Sequence, residues 1–134
     1  MIISYRSDVK ILCGEKAFEM LNESFKKNDF YPDEILKSDN NEYLISFYSE
    51  RWYDHFFHIS DINEIFEKLD EFDSVDNNEG YEYKYIRVGE ECGDYDEQYN
   101  EISFNLLNDI CLDTQISYSE KNFNTKIKTI KENK

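Results

Sequence analysis

The sequence predicts an α+β domain, a single sheet with two helices laid on one of its faces. Three observations predict it. Residues 2–13, 42–52 and 81–88 carry the period-two alternation of strands, or are apolar on both faces. Residues 15–28 and 61–72 place apolar side chains at helical spacing. The chain has 134 residues, 11 Tyr and 10 Phe, enough to fill one core and too aromatic for a disordered acidic chain.

Each element follows from its residues. Over 2–13, Ile3, Tyr5, Val9 and Ile11 share one face and Ser4, Arg6, Asp8 and Lys10 the other; Gly14 ends the strand. Over 15–28, Ala17, Phe18, Leu21 and Phe25 form an apolar stripe, and Lys26 and Lys27 suit the C-terminal end of a helix dipole. Tyr31-Pro32 opens an extended segment to about Asp39, because the residue before Pro avoids the helical region. Asn40-Asn41 is a hairpin turn. Residues 42–52 read as a central strand, apolar on both faces. Ser60 or Asp61 then caps a helix over 61–72, with Asp61 and Glu64 as a capping box. An acidic loop over 73–80 leads to a strand at 81–88, where Tyr81, Tyr83, Tyr85 and Arg87 point one way and Ile86 and Val88 the other. The order β-α-β-β-α-β is the split βαβ arrangement of a ferredoxin-like two-layer sandwich. A second acidic loop spans 89–101. Residues 102–107 and 111–119 read as an added C-terminal β-hairpin across Asn108-Asp109. The single domain is thus 1–119. The tail 120–134 is basic, and Phe123, Ile127 and Ile130 are spaced for a short helix or a frayed end.

Charge narrows the partners. The net charge is −15, and residues 61–101 hold fifteen carboxylates against Lys68, Lys84 and Arg87. A field of that sign repels nucleic acid and attracts basic surfaces. Apolar runs are too short for a membrane span. Cys13, Cys92 and Cys111 are far apart, with no CxxC pair and no charged-then-apolar leader, so a reduced cytoplasmic protein is expected.

Motifs for chemistry are sparse. His55 and His58, beside Asp54, are spaced to share a metal, although a zinc site usually takes three or four ligands. Two histidines in an aromatic connection account for the same residues. A calcium loop begun at Asp94 fails, because Tyr99 stands where glycine is required and Asn105 where the bidentate Glu is required. There is no GxSxG, HExxH or glycine-rich phosphate loop. No enzyme activity, metal or cofactor is therefore expected. A Tyr81, Tyr83, Tyr85 face on an open sheet would suit a protein partner better than RNA, since Glu and not Lys or Arg surrounds it. If another segment covers that face, the tyrosines are core instead.

Small size, a pI near 4.4, a bias to Asn, Lys, Ile, Tyr and Asp, and the clustered Glu90, Glu91, Asp94, Asp96 and Glu97 give this profile a class resemblance. It resembles the small acidic anti-defence proteins of phages and plasmids, the anti-CRISPR and anti-restriction inhibitors, several of which mimic nucleic acid. The stretch from Trp52 to Glu97 is also similar to phage proteins. The resemblance implies a non-enzymatic inhibitor in a host bacterial cytoplasm. It would bind the basic nucleic-acid site of a nuclease or effector complex, without touching nucleic acid or membrane itself. It carries over no residue roles. On charge and aromatic content the partner-binding residues would be Glu79, Glu82, Glu90, Glu91, Asp94, Asp96 and Glu97 with Tyr81, Tyr83, Tyr85 and Tyr95. An immunity protein against a basic nuclease toxin fits the same features. A metal protein or enzyme using His55 and His58, and a module that homodimerises through its open sheet, are the remaining readings.

Overall fold

A computed structural model describes residues 5–72, 78–102, 110–111, 117–118 and 123–127. The elements are β1 (Ser7–Cys13), α1 (Glu15–Asn28), β2 (Glu34–Ser38), β3 (Tyr43–Glu50), α2 (Phe57–Leu69), β4 (Tyr83–Gly89), β5 (Tyr95–Tyr99), β6 (Ile110–Cys111), β7 (Ser117–Tyr118) and β8 (Phe123–Ile127). The architecture is α+β. Six antiparallel strands lie in the order β5-β4-β1-β3-β2-β8, and β6 and β7 pair separately.

One sheet face carries the main core. Val9 and Ile11 of β1, Tyr43, Ile45 and Phe47 of β3, and Tyr83 and Tyr85 of β4 pack there against both helices. From α1 come Ala17, Leu21 and Phe25, and from α2 Ile59, Ile62, Ile65, Phe66 and Leu69, each set at helical spacing. Aromatic pairs stitch the layers: Phe18 stacks on Tyr43 at 3.9 Å between centroids and Phe66 on Tyr83 at 4.6 Å. Leu12, Leu44, Ile86 and Phe123 form a smaller cluster on the opposite face.

Helix α1 spans the residues that the sequence pattern gives. Gly14 is its N-cap, and a side chain there would strike Glu82 and the Gly80 Cα, 2.8 Å away. Asp29 closes the helix in the left-handed region at φ 49°, with its N–H donating to the carbonyls of Lys26 and Phe25.

Helix α2 differs from expectation. It begins at Phe57, four residues before Asp61, and no side chain caps it. Asp61 lies inside the helix and its carboxylate faces α1. It accepts from Ser24 Oγ at 2.6 Å, Asn28 Nδ2 at 3.1 Å and Lys27 Nζ at 3.2 Å. Three donors on a neighbouring helix hold this carboxylate, so no capping box forms. The Ser24 hydrogen bond foremost, then Lys27 and Asn28, hold it below the usual carboxylate range against the effect of burial.

Two further corrections concern strands. Residues 89–101, expected as a loop, contain β5, paired with β4 from Val88↔Tyr95 to Lys84↔Tyr99. The predicted C-terminal hairpin falls largely outside the described residues; within its range Ile110↔Tyr118 and Cys111↔Ser117 are paired. In the basic tail, Phe123–Ile127 is strand and not helix, pairing with β2 through Ile35↔Ile127. The edge of β2 supplies ladder partners, and Phe123 packs onto Leu12, Leu44 and Ile86, which offsets the helical spacing.

Candidate protein-binding surface

The turn joining β4 to β5 is fixed from inside. Gly89 N–H donates to the Asp94 carbonyl at 2.8 Å, and Asp94 N–H to the Glu91 carbonyl at 3.1 Å. The Asp94 carboxylate accepts the Tyr5 hydroxyl, Arg87 Nη2 at 2.7 Å and Arg87 Nη1 at 3.3 Å. Arg87 Nε reaches Asp96 at 2.8 Å and Nη1 reaches Ser7 Oγ at 3.0 Å. The Tyr5 hydroxyl also accepts Glu91 N–H at 3.0 Å, and Tyr5 is tied to Tyr53 through its own N–H. One guanidinium thus holds both strands and the first strand's start. Arg87 foremost, then Tyr5, keep the Asp94 carboxyl below its ordinary value, and Asp94 foremost raises Arg87 in return.

The expected binding residues separate into three groups. Glu90, Glu91, Tyr95 and Glu97 are exposed on this hairpin, although Glu90 also accepts from Arg6 N–H at 3.2 Å. Asp94 and Asp96 are beside them but held by Arg87. The others are elsewhere. Glu79 is exposed beyond the opposite end of β4, beside Glu15, Lys16 and Asn41. Glu82 is buried, its carboxylate accepting Gly80 N–H at 2.7 Å.

The tyrosine face is a correction. Tyr83 and Tyr85 are core residues beneath α2, and Tyr81 is half-buried, stacked on Phe72 at 4.1 Å. The alternation is as expected, but its phase turns these rings toward the helices, because Phe66 lies flat on Tyr83 and the Tyr83 hydroxyl donates to Asp70 at 2.6 Å. Burial foremost, then Asp70, raises the Tyr83 hydroxyl. Tyr83 and Tyr85 offer no surface to a partner.

Among the described residues the exposed tyrosines are Tyr48, Tyr95 and Tyr99, at 45%, 51% and 39% of full accessibility. Register places them on the face away from the helices. Glu34, Ser46, Lys10, Ile86 and Glu97 form one row across five strands of that face. Lys10 is buried within it, donating to Ser46 Oγ at 2.7 Å, with its ammonium 5.2 Å from the Tyr48 ring centre. Burial lowers its pKa, opposed by Glu34 and Asp8. The signal for this surface was the Tyr-x-Glu-x-Tyr alternation over 95–99, which needed the β4 pairing to be read as strand.

The two histidines face different rings. His55 is exposed and lies parallel to Tyr53, while His58 sits 4.2 Å from Phe30, where burial lowers its pKa. Among the described residues no group of three His, Cys, Asp or Glu is placed to hold a metal. A groove of about 600 Å³ between α1 and α2 is lined by Met20, Lys26, Lys27, Asp61, Ile65 and Lys68, with Asp61 already engaged by α1. Among the described residues no helix is long and apolar enough to cross a membrane. No protein-family model matches the chain, and the searches of curated proteins and of solved structures also gave no match.

Proposed function

We propose that this protein is a non-enzymatic inhibitor of the anti-CRISPR or anti-restriction kind, binding the basic nucleic-acid site of a defence nuclease. The observation that carries the reading is the braced hairpin. It presents Glu90, Glu91 and Glu97 with Tyr95 as exposed groups on a strand pair that Arg87, Asp94 and Tyr5 hold in shape. A preorganised acidic surface loses little entropy on binding, and its field speeds encounter with a basic groove. Tyr95, and Tyr48 on the same sheet face, supply contact area at low entropic cost. A ferredoxin-like scaffold is part of the proposal. It is supported by the central order β4-β1-β3-β2 and by helices that follow β1 and β3.

The test is a plasmid-protection assay in bacteria carrying CRISPR or restriction systems. The wild-type chain should protect. Combined reversal of Glu90, Glu91 and Glu97 to Lys should abolish protection, whereas reversal of Glu64 and Glu67 on the outer side of α2 and of Glu71 just beyond its end should preserve it. Protection by the hairpin variant, or none by the wild type in any system, overturns the reading. Neutralisation of a co-expressed nuclease toxin in place of protection would identify an immunity protein using the same surface.

A further inference from the structure

We propose that the outer edge of β5 receives an extended, lysine-bearing segment of a partner protein, which joins the sheet as a further strand. This rests on the inhibitor reading and specifies how the partner is held. Strand β5 ends the sheet order, and among the described residues no strand pairs with its outer side. The register shows which backbone groups face outward. Gly89 N–H bonds the Asp94 carbonyl, so Gly89 and Asp94 form a hydrogen-bonded pair. Such pairs alternate along an antiparallel ladder. Arg87↔Asp96 is therefore bonded, and Val88↔Tyr95 and Ile86↔Glu97 are not. The N–H and C=O groups of Tyr95 and Glu97 consequently point away from β4. They recur about 7 Å apart, two strand residues, which matches the repeat of an incoming strand.

The side chains select that strand. Tyr95 and Glu97 are exposed on the face away from the helices, and Asp96 is exposed on the other. Asp96 is held by Arg87, whereas Glu97 is in no ion pair among the described residues. A lysine opposite Glu97 gains a cross-strand pair. A second copy of this chain is disfavoured: each copy carries a net charge of −15, and antiparallel pairing centred on Glu97 also sets Glu97 against Glu97, as charged edges do to prevent self-association. The edge thus rejects its own kind and accepts the opposite charge, with backbone bonds giving affinity and the flanking side chains giving selection.

The test uses the full chain and a capped peptide, Thr-Val-Thr-Lys-Lys-Val-Thr, with amide hydrogen exchange followed by NMR. A second peptide keeps both lysines and replaces both flanking Val-Thr sequences by Pro-Pro, so that it cannot form a ladder. The first peptide should slow exchange of the Tyr95 and Glu97 amides at least tenfold, about one hydrogen bond's worth, and the second should not. Glu97→Pro should weaken the first peptide more than Glu97→Gln, because only Pro removes the outward N–H, and an edge strand tolerates it there. Equal protection by both peptides, or none by either, overturns the inference. If the peptides fail while reversal of Glu90, Glu91 and Glu97 still abolishes plasmid protection, the edge inference falls and the inhibitor reading stands. If that reversal has no effect, the inhibitor reading falls, whatever the peptides do.

Discussion

At the N-terminal end of β4, Glu82 turns inward. Its carbonyl accepts Gly14 N–H at 3.0 Å and its carboxylate lies beside Gly14, where α1 begins. At the C-terminal end, beyond the seven residues of β4, Glu90 and Glu91 turn out into solvent. Both ends are acidic in sequence, yet one end is structural and the other is available. The difference lies in what stands nearby. A helix N-terminus favours negative charge, so it draws the Glu82 carboxylate in. Among the described residues no helix begins at the hairpin end, and Arg87 is occupied by Asp94 and Asp96, so the other carboxylates stay at the surface, with Glu90 accepting from Arg6 N–H.

The tyrosines test this division most severely. Tyr83 is fully buried, and replacing it by Ala should cost about 3–5 kcal/mol, the range for deleting a buried aromatic ring. Tyr95→Ala should stay within about 0.5 kcal/mol, as surface changes do. Urea unfolding of both variants measures it. Equal losses would mean that the two ends of the hairpin are not distinct in kind.

The pattern of residues made some of this legible. Helix α1 was bounded by Gly14 and by Lys26-Lys27-Asn28, signals that are local and read without tertiary knowledge. Asn40-Asn41 marked the β2–β3 turn, and Asn41 does hold φ 59° there. The orientation of β4 was not legible, because both of its faces are apolar and alternation alone does not say which one the helices cover. Strand β5, Tyr-Asp-Glu-Gln-Tyr, lacks an apolar face and exists through its ladder with β4, a contact between segments. Asp61 looked like a cap by spacing, yet Ser24, Lys27 and Asn28 claim it from 33 to 37 residues away. Glu90, Glu91, Tyr95 and Glu97, expected at a surface from charge and aromatic content, are exposed, while the exposure of Tyr48 and Tyr99 depended on strand register.

A smaller effect should separate the carboxylates. Glu82→Lys places an ammonium in a buried position at a helix N-terminus, beside the backbone of Gly80 and Gly14. The loss should be about 3 kcal/mol, as when a buried charge lacks compensation. Glu90→Lys should change stability by less than about 0.5 kcal/mol, since it lies at the surface and reduces the self-repulsion of a chain at −15. Thermal unfolding at low salt is the sensitive measurement, because screening is weakest there. A large loss in Glu90→Lys would mean that the hairpin carboxylates are as structural as Glu82.

The smallest effect concerns the brace beneath the hairpin. The Tyr5 hydroxyl donates to Asp94, and that one bond bears on two titrations. Asp94 is held below its ordinary 3.8, by Arg87 first and then Tyr5. Its stabilisation is therefore fully present above that value and lost as pH falls through the lower, folded one. Tyr5 is raised above its ordinary 10.0, by the hydrogen bond to Asp94 first. Its contribution is fully present below that value and lost as pH rises through the higher, folded one. Tyr5→Phe removes the bond and keeps the ring, so the acid limb of the stability curve should become shallower and the alkaline limb should lose the part due to this hydroxyl. Asp94→Asn should flatten the acid limb further, because the titrating carboxylate itself is gone and Arg87 keeps only Asp96 of its two carboxylate partners. The readout is the urea midpoint across pH. An acid limb unchanged in Asp94→Asn would mean that the hairpin keeps its shape without the brace, and the contrast between the two ends of β4 would then rest on Glu82 and the tyrosines alone.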